Sequence, residues 1–269
     1  MRIIHFSDFH LSKDPAHINK SQRLMEKFQE KLVQINHENK IDLIVFSGDM
    51  INQGGKGFDS IGQGFQTFKL LLLDKLMSSL NLPSERFVFV PGNHDVDRNL
   101  DNEYVEKGLA SELVTTEAIE KFYSSSSAIT AMNRIVPFKA FEKEYYANTL
   151  LENYIYTNFQ SNLKYSIDGK KIGVTLLNTA WRCWGSSTDK GRILLCQNQI
   201  TDSLSFLEDC DIKIAVAHHS YNWLNDLESV AVEKLITKEY DIFLCGHTHS
   251  GSIVSNLRAE LSEWLLLEF

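Results

Sequence analysis

Residues Arg86 to Asp95 read RFVFVPGNHD: a short Phe- and Val-rich run, a Pro-Gly break, and then Asn93, His94 and Asp95. The run has the composition of a buried strand, and the break marks its end. Side chains able to ligate a metal or move a proton therefore sit where a strand stops. The same pattern recurs along the chain. Arg2 to Phe6 is followed by Asp8 and His10, and Asp42 to Phe46 by Gly48-Asp49. Lys213 to Ala217 leads into His218-His219, and Asp241 to Cys245 into Gly246-His247-Thr248-His249. A sixth apolar run, Lys171 to Leu177, ends without such a group. Five strands thus deliver polar groups at their carboxyl ends, the edge at which open α/β sheets bind ligands. The glycines before Asp49, Asn93 and His247 are expected to allow sharp turns there.

Between the apolar runs, Leu24, Phe28, Leu32 and Ile35 recur at helical spacing, as do Phe65, Phe68, Leu72 and Leu76. Strand alternating with helix predicts an α/β fold. Asn162 to Leu177 differs, because Asp168-Gly169 lies between two alternating runs and predicts a tight hairpin; the sheets are therefore expected to be mixed. Gly48 to Gly64 carries five further glycines and reads as a mobile loop. Leu100 to Tyr156 has helical texture and no convincing strand. It is expected to form a helical insertion or cap, over about residues 100–160, within one domain spanning 1–269, with Ser124 to Ser127 as a flexible joint. Glu263 to Phe269 is apolar and strand-like, which raises the expectation that sequence continues past 269.

The chain has 269 residues, 43% of them hydrophobic, enough for a substantial core. With 27 basic and 35 acidic side chains the formal net charge is −8, and no basic stripe relieves it. That disfavours nucleic acid as a partner. No apolar stretch reaches membrane-spanning length, and the chain opens directly on a strand-like run with no signal peptide. Cys183, Cys196, Cys210 and Cys245 share no metal-type spacing and read as reduced thiols, so a cytoplasmic protein is expected.

Gly-Asn-His-Asp arises by chance roughly once in several hundred chains of this length, and Gly-His-x-His roughly once in a hundred. All the blocks in this order, each ending an apolar run, are not coincidence. The residue types suit two divalent ions about 3.5–4 Å apart, which need a bridging carboxylate and neutral imidazoles. Asp49, the only acid in its block, is the natural bridge. Four imidazoles, two carboxylates and one amide oxygen suit Mn, Fe or Zn, with Mn favoured, and not the all-oxygen shells of Ca or Mg.

The order Asp-x-His, Gly-Asp, Gly-Asn-His-Asp, His, Gly-His-x-His resembles the calcineurin-like metallophosphoesterase superfamily, over Arg2 to His249. The resemblance implies a four-layer αββα sandwich with two mixed β-sheets. It implies one metal on Asp8, His10, Asp49 and His249, and a second on Asp49, Asn93, His218 and His247. Of the His218-His219 pair the first is taken, because it ends the strand as the family ligand does. It also implies phosphodiester hydrolysis by a metal-bridging hydroxide, with His94 as general acid. In the phosphoprotein phosphatases an Asp three residues past the bridge orients the catalytic His. Here that position is Asn52, and the following Arg-Gly is missing, which argues against protein phosphatase activity. The texture is nearer the bacterial cyclic-nucleotide phosphodiesterases, so a nucleotide substrate is expected. A Mn-dependent DNA nuclease, suggested by Asp8-Phe9-His10-Leu11, and a non-catalytic metal-bound scaffold are the alternatives.

Other signals are weaker. Trp181, Arg182 and Trp184 follow a strand and either clamp a base and a phosphate or pack beneath a loop. Arg98 either fixes the metal loop or touches substrate. His5 reads as a core residue beside the site, and His17 and His37 as solvated.

Overall fold

Phe, Val, Ile and Leu fill the predicted strands, and in the computed structural model these runs form two sheets. The structure describes residues 1–149, 152–184 and 188–248, and the backbone of two further strands. In chain order the elements begin β1 (Ile3–Phe6), α1 (Pro15–Glu38), β2 (Leu43–Phe46), α2 (Ile61–Phe68), α3 (Asp74–Leu80) and β3 (Phe87–Phe89). Four helices follow: α4 (Glu103–Glu112), α5 (Thr116–Tyr123), α6 (Ser127–Ala131) and α7 (Val136–Tyr145). Then come β4 (Tyr154–Tyr156), β5 (Ser161–Ile167), β6 (Lys170–Leu176), α8 (Asn198–Phe206), β7 (Ile212–Ala217), α9 (Ser229–Glu239) and β8 (Ile242–Cys245). The last are β9 (Ser252–Ser255) and β10 (Leu265–Leu266).

The first sheet has the order β10-β1-β2-β3, and the second β4-β5-β6-β7-β8-β9. Among the described residues the pairings in the first are parallel, and the second combines parallel and antiparallel pairs. Strands β1, β2, β3 and β8 are buried at every position, as strands covered on both faces must be. Two such sheets with helices outside them make an α/β sandwich. The Asp168-Gly169 hairpin joins β5 to β6, both turn residues taking positive φ as a two-residue turn of this kind requires.

Helix α1 starts where Asp14 accepts the His17 N–H and Pro15 fixes the first turn. Its inward stripe is Ser21, Met25, Phe28 and Leu32. Leu24, expected inside, is 43% exposed, because Met25 takes its place one position round the helix. Phe65, Phe68, Leu72 and Leu76 are all buried, across a π-helical turn at Lys69–Leu73 between α2 and α3. The segment read as helical holds α4 to α7, but its end is strand β4, which pairs antiparallel with β5. That strand was hidden because it has only three residues, two of them exposed, and so lacks a buried run. Helix α7 packs Phe138 and Phe141 against Phe65 and Phe89. Just after it, Tyr146 donates to the Phe87 carbonyl at 2.8 Å, covering the exposed edge of β3.

Candidate metal centre

Strand β1 leads into Asp8 and His10 at φ of 60° and 50°, β2 into Asp49 at 61°, and β8 into His247 at 72°. Each is a non-glycine residue in the left-handed region, which costs on the order of 1–3 kcal/mol and persists only where neighbours enforce it. The neighbours here are backbone bonds between loops: Asp8 N–H to Gly48 O and His10 N–H to Asp49 O, both 3.0 Å. Asp95, fully buried, gathers the rest. Its carboxylate accepts from the N–H groups of Asp49 (2.8 Å), Met50 (3.2 Å), Ile51 (3.1 Å) and Gly92 (2.8 Å), tying the β2 exit to the β3 exit. Burial and the charge of Asp49 push its pKa up to about 7, against the pull of those amides.

Two glycines are required here for different reasons. Gly48 has φ +98°, and a Cβ there would also lie 2.6 Å from His218 Nδ1. Gly92 has no positive φ; its role is space, since a Cβ would fall 2.1 Å from Asp49 Oδ1. Gly246 likewise leaves room, for Ser7 Oγ, so the expected sharp-turn role holds only before Asp49.

Asp49 sits at the centre, 2% exposed. Its Oδ2 lies 3.8 Å from His10 Nε2 and 3.5 Å from His218 Nε2, so one oxygen faces imidazoles on two sides. Its Oδ1 accepts from the His94 N–H at 2.8 Å. Burial alone would raise its pKa, but the adjoining His218, with His94 and His10, holds it well below the usual carboxylate range. His218 Nδ1 is 2.7 Å from the Ser47 carbonyl, which keeps a proton on that nitrogen and turns Nε2 inward. That Nε2 is 3.1 Å from both Asn93 Oδ1 and His247 Nδ1. Burial lowers the His218 pKa, and Asp49 outweighs this, lifting it to about 9. Asp8 Oδ2 accepts from the His247 N–H at 3.1 Å. Among the described residues Asp8 Oδ1 is buried without a hydrogen bond, 3.8 Å from His10 Nε2.

These atoms fit a pair of cations. Among the described residues, three groups have all their ligand atoms within 4.8 Å of one another: His10 with Asp49 and His94, Asp8 with Asp49 and His218, and His218 with His219 and His247. Asp49 belongs to two of them. A carboxylate oxygen buried without a donor, beside converging imidazole nitrogens, is the environment a divalent transition metal relieves.

Of the seven ligands expected, Asp8, His10, Asp49, Asn93, His218 and His247 come together in this way, and His249 lies outside the described residues. His219 is fully buried, its Nδ1 2.9 Å from Thr179 Oγ1, and burial holds its pKa well below the usual histidine range. His94 stands edge-on to His10 with ring centroids 4.6 Å apart. Its Nδ1 accepts from the Gln53 N–H at 2.9 Å, so a main-chain amide orients the ring. Trp181 is core: 1% exposed, donating to the Leu194 carbonyl and stacked on Phe122. Arg182 is buried against Glu106, and Trp184 lies beneath the Arg134 guanidinium. His5, 2.8 Å from Ser47 Oγ, is buried; His37 is exposed and His17 half-buried near the start of α1. Three contributors escaped the sequence reading: Asp95, the Gln53 amide, and Trp223, whose ring stands edge-on to His247 at 4.1 Å. Only Asp95 left a signal, as a charge at a strand exit that is no ligand.

Compared with known proteins, residues 1–251 match the family described as Calcineurin-like phosphoesterase. The chain is also similar to an "Uncharacterized metallophosphoesterase-like protein YydB" of Bacillus subtilis (strain 168), at 20% identity over 251 residues. That similarity covers 91% of this chain and 48% of the relative, so the chain spans about half the length of the curated relative it matches.

Proposed function

From the premise that this chain belongs to the calcineurin-like phosphoesterase family, we propose that it hydrolyses phosphodiesters of nucleotides at a pair of divalent ions. The observation that carries the two-ion reading is Asp49 Oδ2, placed between His10 and His218. Asp8, His10 and Asp49, with His249, would hold one ion; Asp49, Asn93, His218 and His247 would hold the other. The mixed nitrogen and oxygen donors favour Mn among Mn, Fe and Zn. When bound, the ions activate water for attack on phosphorus and neutralise the phosphate oxygens.

The chain's own residues do the rest. Ser47 O fixes the His218 ring with Nε2 inward, and the adjoining imidazoles favour the charged form of Asp49. Gln53 N–H on His94 Nδ1 leaves the neutral ring's proton on Nε2, the nitrogen that would protonate the departing alkoxide. The helices between β3 and β4 reach the metal loop through Asp97 N–H, which donates to Arg134 O at 2.9 Å, and we read them as a cap within a single domain. Among the described residues no helix is long and apolar enough to cross a membrane. The four cysteines are buried and form no disulfide with one another, which supports a reducing compartment.

Turnover of bis(p-nitrophenyl) phosphate with Mn tests the activity, run beside cyclic nucleotides and single- and double-stranded DNA. His94→Ala should slow esters with poor leaving groups far more than p-nitrophenyl esters. Equal losses on both would remove His94 from the acid role, and a preference for DNA would replace the nucleotide reading. No turnover with any transition metal would leave a scaffold.

A further inference from the structure

A cavity of about 420 Å³ opens beside His94, outside the ligand cluster, and its lining includes Gln53, Gly54, Lys56, Phe58 and Arg98. Its wall is the loop that positions His94: Gln53 N–H donates to the ring, and Gly54 N–H to the His94 carbonyl at 2.8 Å. Two cations line it and no carboxylate does, in a chain whose formal net charge is −8. Among the described residues neither Lys56 nor Arg98 makes an ion pair, while the nearby Asp59 is taken by Lys13 at 3.2 Å. Arg98 Nε is buried with no hydrogen-bond partner. Its stem is packed against Gly54, where a Cβ would meet Arg98 Cγ at 3.1 Å, so the head group is held in place. Phe58 gives the cavity one aromatic wall. An uncompensated guanidinium on a fixed stem is a phosphate-binding group, because its planar donors match two phosphate oxygens.

We propose that this cavity is a leaving-group subsite for a second phosphate, with Arg98 as its main contact and Lys56 as a weaker, exposed one. The inference rests on the diesterase reading above: the Gln53–Gly54 loop that walls the cavity also holds His94, the acid proposed for the leaving group. The substrate class is then a phosphodiester whose leaving alcohol itself carries a phosphoryl dianion, as at the phosphorylated end of an oligonucleotide, and not a cyclic monophosphate.

The test uses two aryl diesters of thymidine 5′-phosphate, one leaving as 4-(phosphonomethyl)phenol and the other as 4-ethylphenol. With the Mn-loaded protein, kcat/KM should favour the phosphonate ester by tenfold or more. Arg98→Ala should cut that preference roughly tenfold to hundredfold, mainly through KM, as expected for losing a hydrogen bond to a charged group. Arg98→Lys should retain part of it, and Lys56→Ala should lose less than Arg98→Ala. Equal preference in the wild type and Arg98→Ala would overturn the subsite. In parallel, 4-(phosphonomethyl)phenol is titrated calorimetrically into the metal-free protein, where only the subsite can hold it. Binding weakened at least tenfold by Arg98→Ala supports the proposal even if neither ester is hydrolysed, in which case the diesterase reading alone fails. Hydrolysis of both esters without discrimination keeps the diesterase and discards the subsite. A thermal melt of each variant guards against misfolding, and Arg98→Lys carries the test if Arg98→Ala does not fold.

Discussion

Among the described glycines, Gly92 leaves the least room for a Cβ, which makes Gly92→Ala a severe change. The new methyl would lie 2.1 Å from Asp49 Oδ1, 2.4 Å from Asp49 N and 2.7 Å from Asp49 Cγ. Non-bonded carbon contacts relax only at about 3.5 Å, so one side must yield by more than about 1 Å. Neither side is loose. Asp49 Oδ1 accepts from His94 N–H, and the Asp49 and Gly92 amides both donate to Asp95 at 2.8 Å. Overpacking costs about 1–3 kcal/mol, and losing one hydrogen bond to a charged group about 1.5–3 kcal/mol more. The sum is roughly 3–6 kcal/mol. For a chain of this size each kcal/mol moves Tm by about 2–4 °C, so melting should fall by something on the order of 6–20 °C. The displaced carboxylate is the central ligand candidate, so Mn affinity measured by calorimetry should fall with it. Gly108→Ala is the internal contrast: it lies in α4, nothing stands within 4 Å of its Cβ position, and it should stabilise by about 0.5–1 kcal/mol. If Gly92→Ala melted within about 2 °C of the wild type and bound Mn equally well, the reasoning from close approach would be wrong.

Other expectations follow from single groups. Burial lowers the His5 pKa from 6.5 to about 4 despite the opposing charge of Asp8, so between those values the unfolded chain binds a proton that the fold refuses. Stability should therefore fall as pH drops from 6.5 towards 4, with His5 contributing on the order of 3 kcal/mol and nothing above that window. Urea unfolding of metal-free protein at pH 7.5 and 4.5 should show His5→Gln losing about 2–3 kcal/mol less than the wild type; identical losses would exclude His5 as a source. Asp95→Asn should destabilise by about 1–3 kcal/mol, because its Nδ2 must face one of four N–H donors, and unchanged denaturation would show those donors content with water. Mn should raise the melting temperature, by about 2.7 kcal/mol of stability at a hundredfold excess over Kd, and EDTA should reverse it. Asp49→Ala should abolish that shift; a full shift in the variant would remove Asp49 from the metal site.

The strands were legible because buried parallel strands are written as unbroken apolar runs, as in Leu43–Phe46 and Phe87–Phe89. Strand β4 was not, because a three-residue edge strand with two exposed side chains has no such run. In α1 Phe28 and Leu32 are buried as expected and only Leu24 was misplaced, since Leu24 and Met25 are both apolar and packing chooses between them. At the site, the ligand candidates were visible because metal chemistry restricts residue types. What holds them is carried largely by main-chain groups. Any residue but proline at position 53 would offer His94 the same N–H, so no side chain betrays it. The glycine roles were misassigned at Gly92 and Gly246 because a missing Cβ reads identically whether it serves a dihedral angle or a neighbour.

The bonds that close the centre span long stretches of chain. Asn93 and His218 are 125 residues apart, Ser47 and His218 171, and Asp8 and His247 239. Such pairings form late, because each must first close a large loop of disordered chain. During synthesis the first sheet's Asp8, His10, Asp49 and Asn93 leave the ribosome long before β7 and β8 exist. A nascent chain thus holds half of the candidate ligands, and the set is complete only with the final strands. Metal retention would then report completed assembly, and a chain truncated before β8 would be both unfolded at its seam and unable to hoard metal.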